Sequence, residues 1–152
     1  MSILELLTGK KKKRARGHLK NLLAVAASDG SFDSMEVDYI LAMAERFNIS
    51  EEELKMIKDN PDAYDYEPPV NDRERFDHLH HLVSMMLIDG EVHEKEASIC
   101  KRFANSLGLK EEFVDDFIEI FNEDPERETP TEVVIGKLLK IAQERESRTH
   151  AA

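Results

Sequence analysis

Two stretches of the chain place carboxylates at matching intervals around a glycine: Asp29-Gly30-Ser31-Phe32-Asp33-Ser34-Met35-Glu36 and Asp89-Gly90-Glu91-Val92-His93-Glu94-Lys95-Glu96. Oxygen donors clustered around a tight turn suit hard divalent cations, so calcium, magnesium or manganese are the expected ligands and zinc is a poorer match. The candidate metal-binding residues are Asp29, Asp33 and Glu36 in the first copy and Asp89 and Glu96 in the second. The spacing matches the second half of an EF-hand loop, with an acid, the turn glycine, an apolar anchor and a glutamate six residues after the glycine. The first half is missing: the upstream ligand positions hold Val25 and Ala27 in one copy and Met85 and Leu87 in the other, which excludes a complete EF-hand. The same carboxylates also read as capping groups that satisfy the orphan amides of the following helix and its dipole. His93 stands where the first copy has Asp33, so the two turns are not equivalent as ligand sets.

Other reactive residue types form no recognisable constellation. His78, His80 and His81 invite a transition-metal reading, but the chain has no His-Glu-x-x-His and no paired Glu-x-x-His. Repeat one has only His18 and Asn21 at the positions of His78 and His81, so a solvated or partner-contacting histidine face is expected. Cys100 falls on the apolar side of its helix and is expected to pack. With no phosphate-binding glycine loop, nucleophile elbow or catalytic triad, the sequence points to no catalytic residue, no organic cofactor and no enzymatic activity, a metal-dependent enzyme being the less favoured alternative.

These residues are positioned by a chain whose apolar spacing is helical throughout. Leu19, Leu22, Leu23, Ala26 and Ala27 recur at steps of three and four. Gly30 is placed to stop that helix, and Asp33 with Glu36 forms a capping box for the next, which presents Val37, Ile40, Leu41, Ala44 and Phe47 inward. Ser50 caps a third helix carrying Leu54 and Ile57, after which Pro61, Pro68 and Pro69 make residues 60–71 a linker. Three more helices follow, with Gly108 as a stop, and Thr129-Pro130-Thr131-Glu132 opens a closing helix over 130–146. No segment alternates with period two, so no strand is expected.

Shifted by sixty residues, 18–57 aligns with 78–117 without a gap. Nine positions are identical, among them His18/His78, Leu19/Leu79, Asp29/Asp89, Gly30/Gly90 and Glu36/Glu96. The expected fold is therefore all-α, with about seven helices built by tandem duplication of a three-helix unit. The two units should pack face to face about a pseudo-two-fold axis, since neither alone has enough core. Residues 1–17 read as an apolar and basic leader, 18–59 as repeat one, 72–123 as repeat two, and 147–152 as a loose tail.

The chain of 152 residues carries a net charge of −11, and six of its 21 basic residues lie within 10–16, leaving 15 against 32 acids elsewhere. An acidic body with a basic collar is a poor reader of nucleic acid, and suits cations and protein partners better. Ile3, Leu4, Leu6 and Leu7 ahead of the lysines would let residues 1–16 lie on an anionic membrane surface. One cysteine and no apolar run of about eighteen residues fit a cytoplasmic protein, peripheral to the inner membrane at most. The oligomeric state is not specified.

The stretches L-x-x-L-L-A-V-A-A-S-D-G-S-F-D-S-M-E and L-x-x-L-V-S-M-M-L-I-D-G-E-V-H-E-K-E resemble the TerB-like domains of bacterial tellurite-resistance proteins, over about residues 18–121. The resemblance implies an all-helical, internally duplicated bacterial module acting in stress response and protein scaffolding. It also implies a metal-binding role for the acidic residues of the turn, here Asp29, Asp33, Glu36, Asp89 and Glu96.

Overall fold

The computed structural model describes residues 3–28 and 32–151, with side chains described for 9–28 and 32–148. Seven α-helices follow one another, with no strand among the described residues: α1 Ile3–Ala26, α2 Ser34–Arg46, α3 Glu51–Asp59, α4 Asp72–Met86, α5 Glu94–Ser106, α6 Glu112–Glu123 and α7 Thr131–Ala151. A single 3-10 turn, Pro61–Ala63, sits in the linker.

Side-chain caps set several helix starts. The Asp33 carboxylate accepts from the Met35 amide at 2.7 Å, Ser50 Oγ from Glu53 at 3.2 Å, and Asn71 Oδ1 from Glu74 at 2.8 Å. The helices α2 and α5 end alike: Ile49 and Leu109 donate back to the carbonyls of Ala44 and Ala104, at 2.9 and 2.8 Å. That closure puts Asn48 and Gly108 at positive φ, 57° and 80°, a region open to glycine and tolerated by asparagine.

The duplication is carried by the interior. Equivalent residues Leu19/Leu79, Leu22/Leu82, Val25/Met85, Ile40/Cys100, Ala44/Ala104, Leu54/Val114 and Ile57/Phe117 are all buried in one core. Helix α1 packs on α2, α3 and α5, and α4 correspondingly packs on α5, α6 and α2. The two first helices, α1 and α4, pack on each other, as a pseudo-two-fold arrangement requires. Helix α7 breaks the symmetry by lying against α4 and α6 of repeat two, where Val134, Ile135 and Leu138 are buried.

Two boundaries differ from the sequence expectation. The leader is not a separate element, because α1 runs without interruption from Ile3 through Gly9, the basic run and Gly17 to Ala26. Lysine and arginine are good helix formers, and one glycine costs only about 1 kcal/mol against alanine, too little to divide a helix otherwise supported by packing. The expected loose tail is likewise helical to Ala151, Ala152 lying outside the described residues. Gly17 has a packing role: a Cβ there would come within 2.6 Å of the Asp65 carbonyl oxygen, because the linker crosses α1 at that point. No helix among the described residues is long and apolar enough to cross a membrane.

Candidate cation site and the buried histidines

The turn between α4 and α5 is built by its own side chains. Asp89 accepts from the Glu91 amide at 3.0 Å through Oδ1, and its Oδ2 lies 2.8 Å from His93 Nε2, which donates to it. Gly90 takes φ 82°, so the chain reverses tightly enough to bring residues 89, 91 and 93 together. One ligand atom from each of Asp89, Glu91 and His93 lies within 4.8 Å of the others, a spacing that one divalent ion can bridge.

The electrostatics of the pair are mutual. The Asp89 hydrogen bond raises the His93 pKa above its ordinary value, outweighing slight desolvation. Desolvation works to raise that of Asp89, but the His93 bond and the Glu91 amide together hold it below the usual carboxylate range. A bound cation would take the place of the shared proton.

The expected ligands are distributed differently from that cluster. Asp29, with Gly30 and Ser31, lies outside the described residues. Asp33 is exposed and occupied as the α2 cap. Glu36 and Glu96 are 3% and 1% exposed, repeat-equivalent, and sit in the interior with other interactions. Of the five residues expected to bind metal, only Asp89 belongs to the three-residue cluster. Glu91 and His93, which complete it, stand where the first copy has Ser31 and Asp33, and the Asp-Gly turn brings them to Asp89.

The histidines are not a solvated face. His18 and His81 are 1% and 7% exposed, and His18 Nε2 lies 2.9 Å from His81 Nδ1. The repeat-equivalent rings of His18 and His78 stack with centroids 4.0 Å apart, at the contact between α1 and α4. Tyr66 Oη meets His78 Nδ1 at 2.9 Å, and His80 packs its edge against Phe117 and Phe121. A repeat-matched histidine on the helices that meet at the axis was the available signal for this contact.

The short His18–His81 bond requires one donor and one acceptor nitrogen, so the accepting ring is neutral. Burial lowers every pKa in the group: His18 well below its ordinary value, with His78 and His81 adding to the effect, His81 to about 3 and His80 to about 4. Burial lowers His78 as well, against the opposing pull of Asp77 and Glu74. Asp77 is itself pushed up by burial, and its Oδ1 lies 3.6 Å from His81 Nε2. No group of three histidines meets the spacing of a single ion among the described residues. Cys100 is buried with Sγ 3.9 Å from Met86 Sδ, and burial pushes its thiol up to about 12, so it remains protonated.

Comparison of the chain with protein-family models, with curated protein sequences and with solved structures returns no match.

Proposed function

We propose that this protein is a non-enzymatic helical module that binds protein partners, with a divalent cation at the α4–α5 turn setting the charge and shape of the contact surface. The observation that carries the reading is the convergence of Asp89, Glu91 and His93 within 4.8 Å on the surface of a protein of net charge −11. Exposed carboxylates with one imidazole favour calcium, magnesium or manganese, with zinc admitted by His93. The duplicated Asp-Gly turns support placement among TerB-like modules, and with it a cytoplasmic, bacterial, stress-response setting.

Titration of the full chain with each of the four metals, followed by thermal unfolding, tests this. A ligand that binds only the folded state stabilises it by roughly 2.7 kcal/mol at a hundred times its dissociation constant. At least one metal should raise the midpoint of the wild type, and the gain should vanish in Asp89→Asn. No shift with any metal at millimolar concentration removes the cation and leaves a partner-binding module alone.

A second reading, attachment to an anionic membrane surface, is favoured by the continuity of α1, which places residues 3–7 and the basic run on one helix. Lys13 and Arg16 already face acids of the protein itself, Lys13 pairing with Glu67 at 3.5 Å and Arg16 with Glu53. Sedimentation with anionic liposomes decides it: equal pelleting with and without residues 1–16 rules attachment out.

A further inference from the structure

Repeat one carries a cleft whose lining residues differ in type from their counterparts in repeat two. The cleft, about 320 Å³, lies between α1, α2 and α3, with Leu23, Val37, Leu41 and Leu54 as apolar walls. Val37 and Leu41 belong to the inward stripe of α2, yet they are only half-buried, because nothing packs over them among the described residues. At the equivalent places in repeat two stand Ala97 and Lys101, and Lys101 pairs with Asp115 at 3.5 Å across the same edge. The counterpart of Asp115 is Lys55, which lines the cleft together with Leu41 and makes no ion pair among the described residues. Lys58, also on the rim, stands where repeat two has Ile118, and lies 5.1 Å from the centre of the Phe32 ring. Glu51, one turn before Lys55, is the single acid lining the cleft. Beyond Phe32 a second cleft of about 270 Å³ continues past Ala24, Ala27 and Ile57, with Lys20 on its edge. Phe32, Leu23 and Lys58 line both, so the two clefts adjoin at these side chains.

We infer that this cleft binds a single-chain fatty carboxylate. The alkyl chain lies along Leu23, Val37, Leu41 and Leu54, and the carboxylate takes the ammonium groups of Lys55 and Lys58. Apolar walls with two lysines against one acid at the rim, on a protein otherwise dominated by acids, are complementary to an anion with a long apolar tail. Turning the Phe32 ring aside would join the two clefts for a longer chain. The inference stands apart from the cation reading, since the cleft and the α4–α5 turn share no residue.

The test is calorimetric titration of the full chain with octanoate, decanoate and dodecanoate below their micellar concentrations, with decanol as the uncharged control. Binding should be saturable at one site and tighten about fourfold per added methylene, as expected for burial of alkyl chain. Decanol should bind at least tenfold more weakly than decanoate. The double variant Lys55→Asp, Lys58→Ile, which copies repeat two at exposed positions, should lose decanoate binding by tenfold or more while keeping the wild-type urea midpoint within error. Phe32→Ala should favour dodecanoate over decanoate more strongly than the wild type does. Absence of saturable binding, equal binding of decanol and decanoate, or undiminished binding by a folded double variant would each overturn the inference.

Discussion

Repeat one and repeat two share an interior and differ wherever their surroundings differ. Arg16, just ahead of repeat one, forms a part-buried ion pair with Glu53, and sixty residues on stand Phe76 and Phe113, which meet edge to face at 4.9 Å near α7. Asn21 corresponds to His81, and Gly17, beneath the linker, to Asp77. The duplicated frame is held by the matched apolar pairs, and each departure answers a local question: what covers this position, and does it need charge, bulk or no side chain at all. The cation cluster and the open cleft are both such departures, one in each repeat.

The largest contrast should come from the covered edge. Phe76→Ala removes a 1% exposed ring and should cost about 3–5 kcal/mol. Arg16→Ala, at the same place in the other repeat, should cost about 1 kcal/mol or less, because its pair is part-exposed. Urea midpoints measure both, and equal costs would break the claim that α7 sets the difference.

Acid should next distinguish the repeats, since three of the four central histidines belong to repeat two. Their folded pKa values are depressed, so the unfolded chain takes up protons first as pH falls through about 6.5. Stability is therefore complete above that pH and is lost below it, by up to about 1.4 kcal/mol per pH unit for each buried histidine, as far as the folded values of about 4 for His80 and about 3 for His81. Asp77, whose pKa is raised, opposes this trend at acid pH, while burial pushes the Tyr66 phenol above its ordinary value and the Arg46 guanidinium adds to the depression of His81. His81→Asn, copying repeat one, should flatten the slope between pH 6 and 4. An unchanged slope in urea titrations would place the acid sensitivity elsewhere.

Gly17→Ala should cost about 1–3 kcal/mol by driving a Cβ to within 2.6 Å of the Asp65 carbonyl oxygen, in contrast to Gly9→Ala, where open space makes the change neutral or favourable. Smallest is the cap: Asp33→Ala should lose about 1 kcal/mol, and His93→Ala none of that kind, because His93 makes no capping bond to α5.

Much of this fold can be read from residue types. Ser50, Asn71 and Asp33 cap where short polar side chains precede apolar stripes, and the sixty-residue repeat places the matched core. The leader merges into α1 because Gly9 and Gly17 are weak breakers inside a helix rich in lysine, leucine and arginine. Asn48 as the partner of Gly108 is legible only with knowledge of the positive φ they share. The histidines are harder, since a polar ring on a helix is buried or solvated according to what the other repeat presents to it. The candidate site was half visible: Asp89 from the motif, but not Glu91 and His93, whose convergence depends on the turn. Glu36 and Glu96 match the ligand pattern in type and spacing, and the fold places them inside.

We propose the Asp89, Glu91 and His93 turn as the cation site. Substoichiometric manganese added to the isotope-labelled full chain tests it directly, through paramagnetic broadening of backbone amide signals. Loss of the signals of residues 89–93 ahead of all others, abolished in Asp89→Asn, is the expected result. Broadening that starts at residues 29–36, or spreads evenly over the exposed acids, would contradict it.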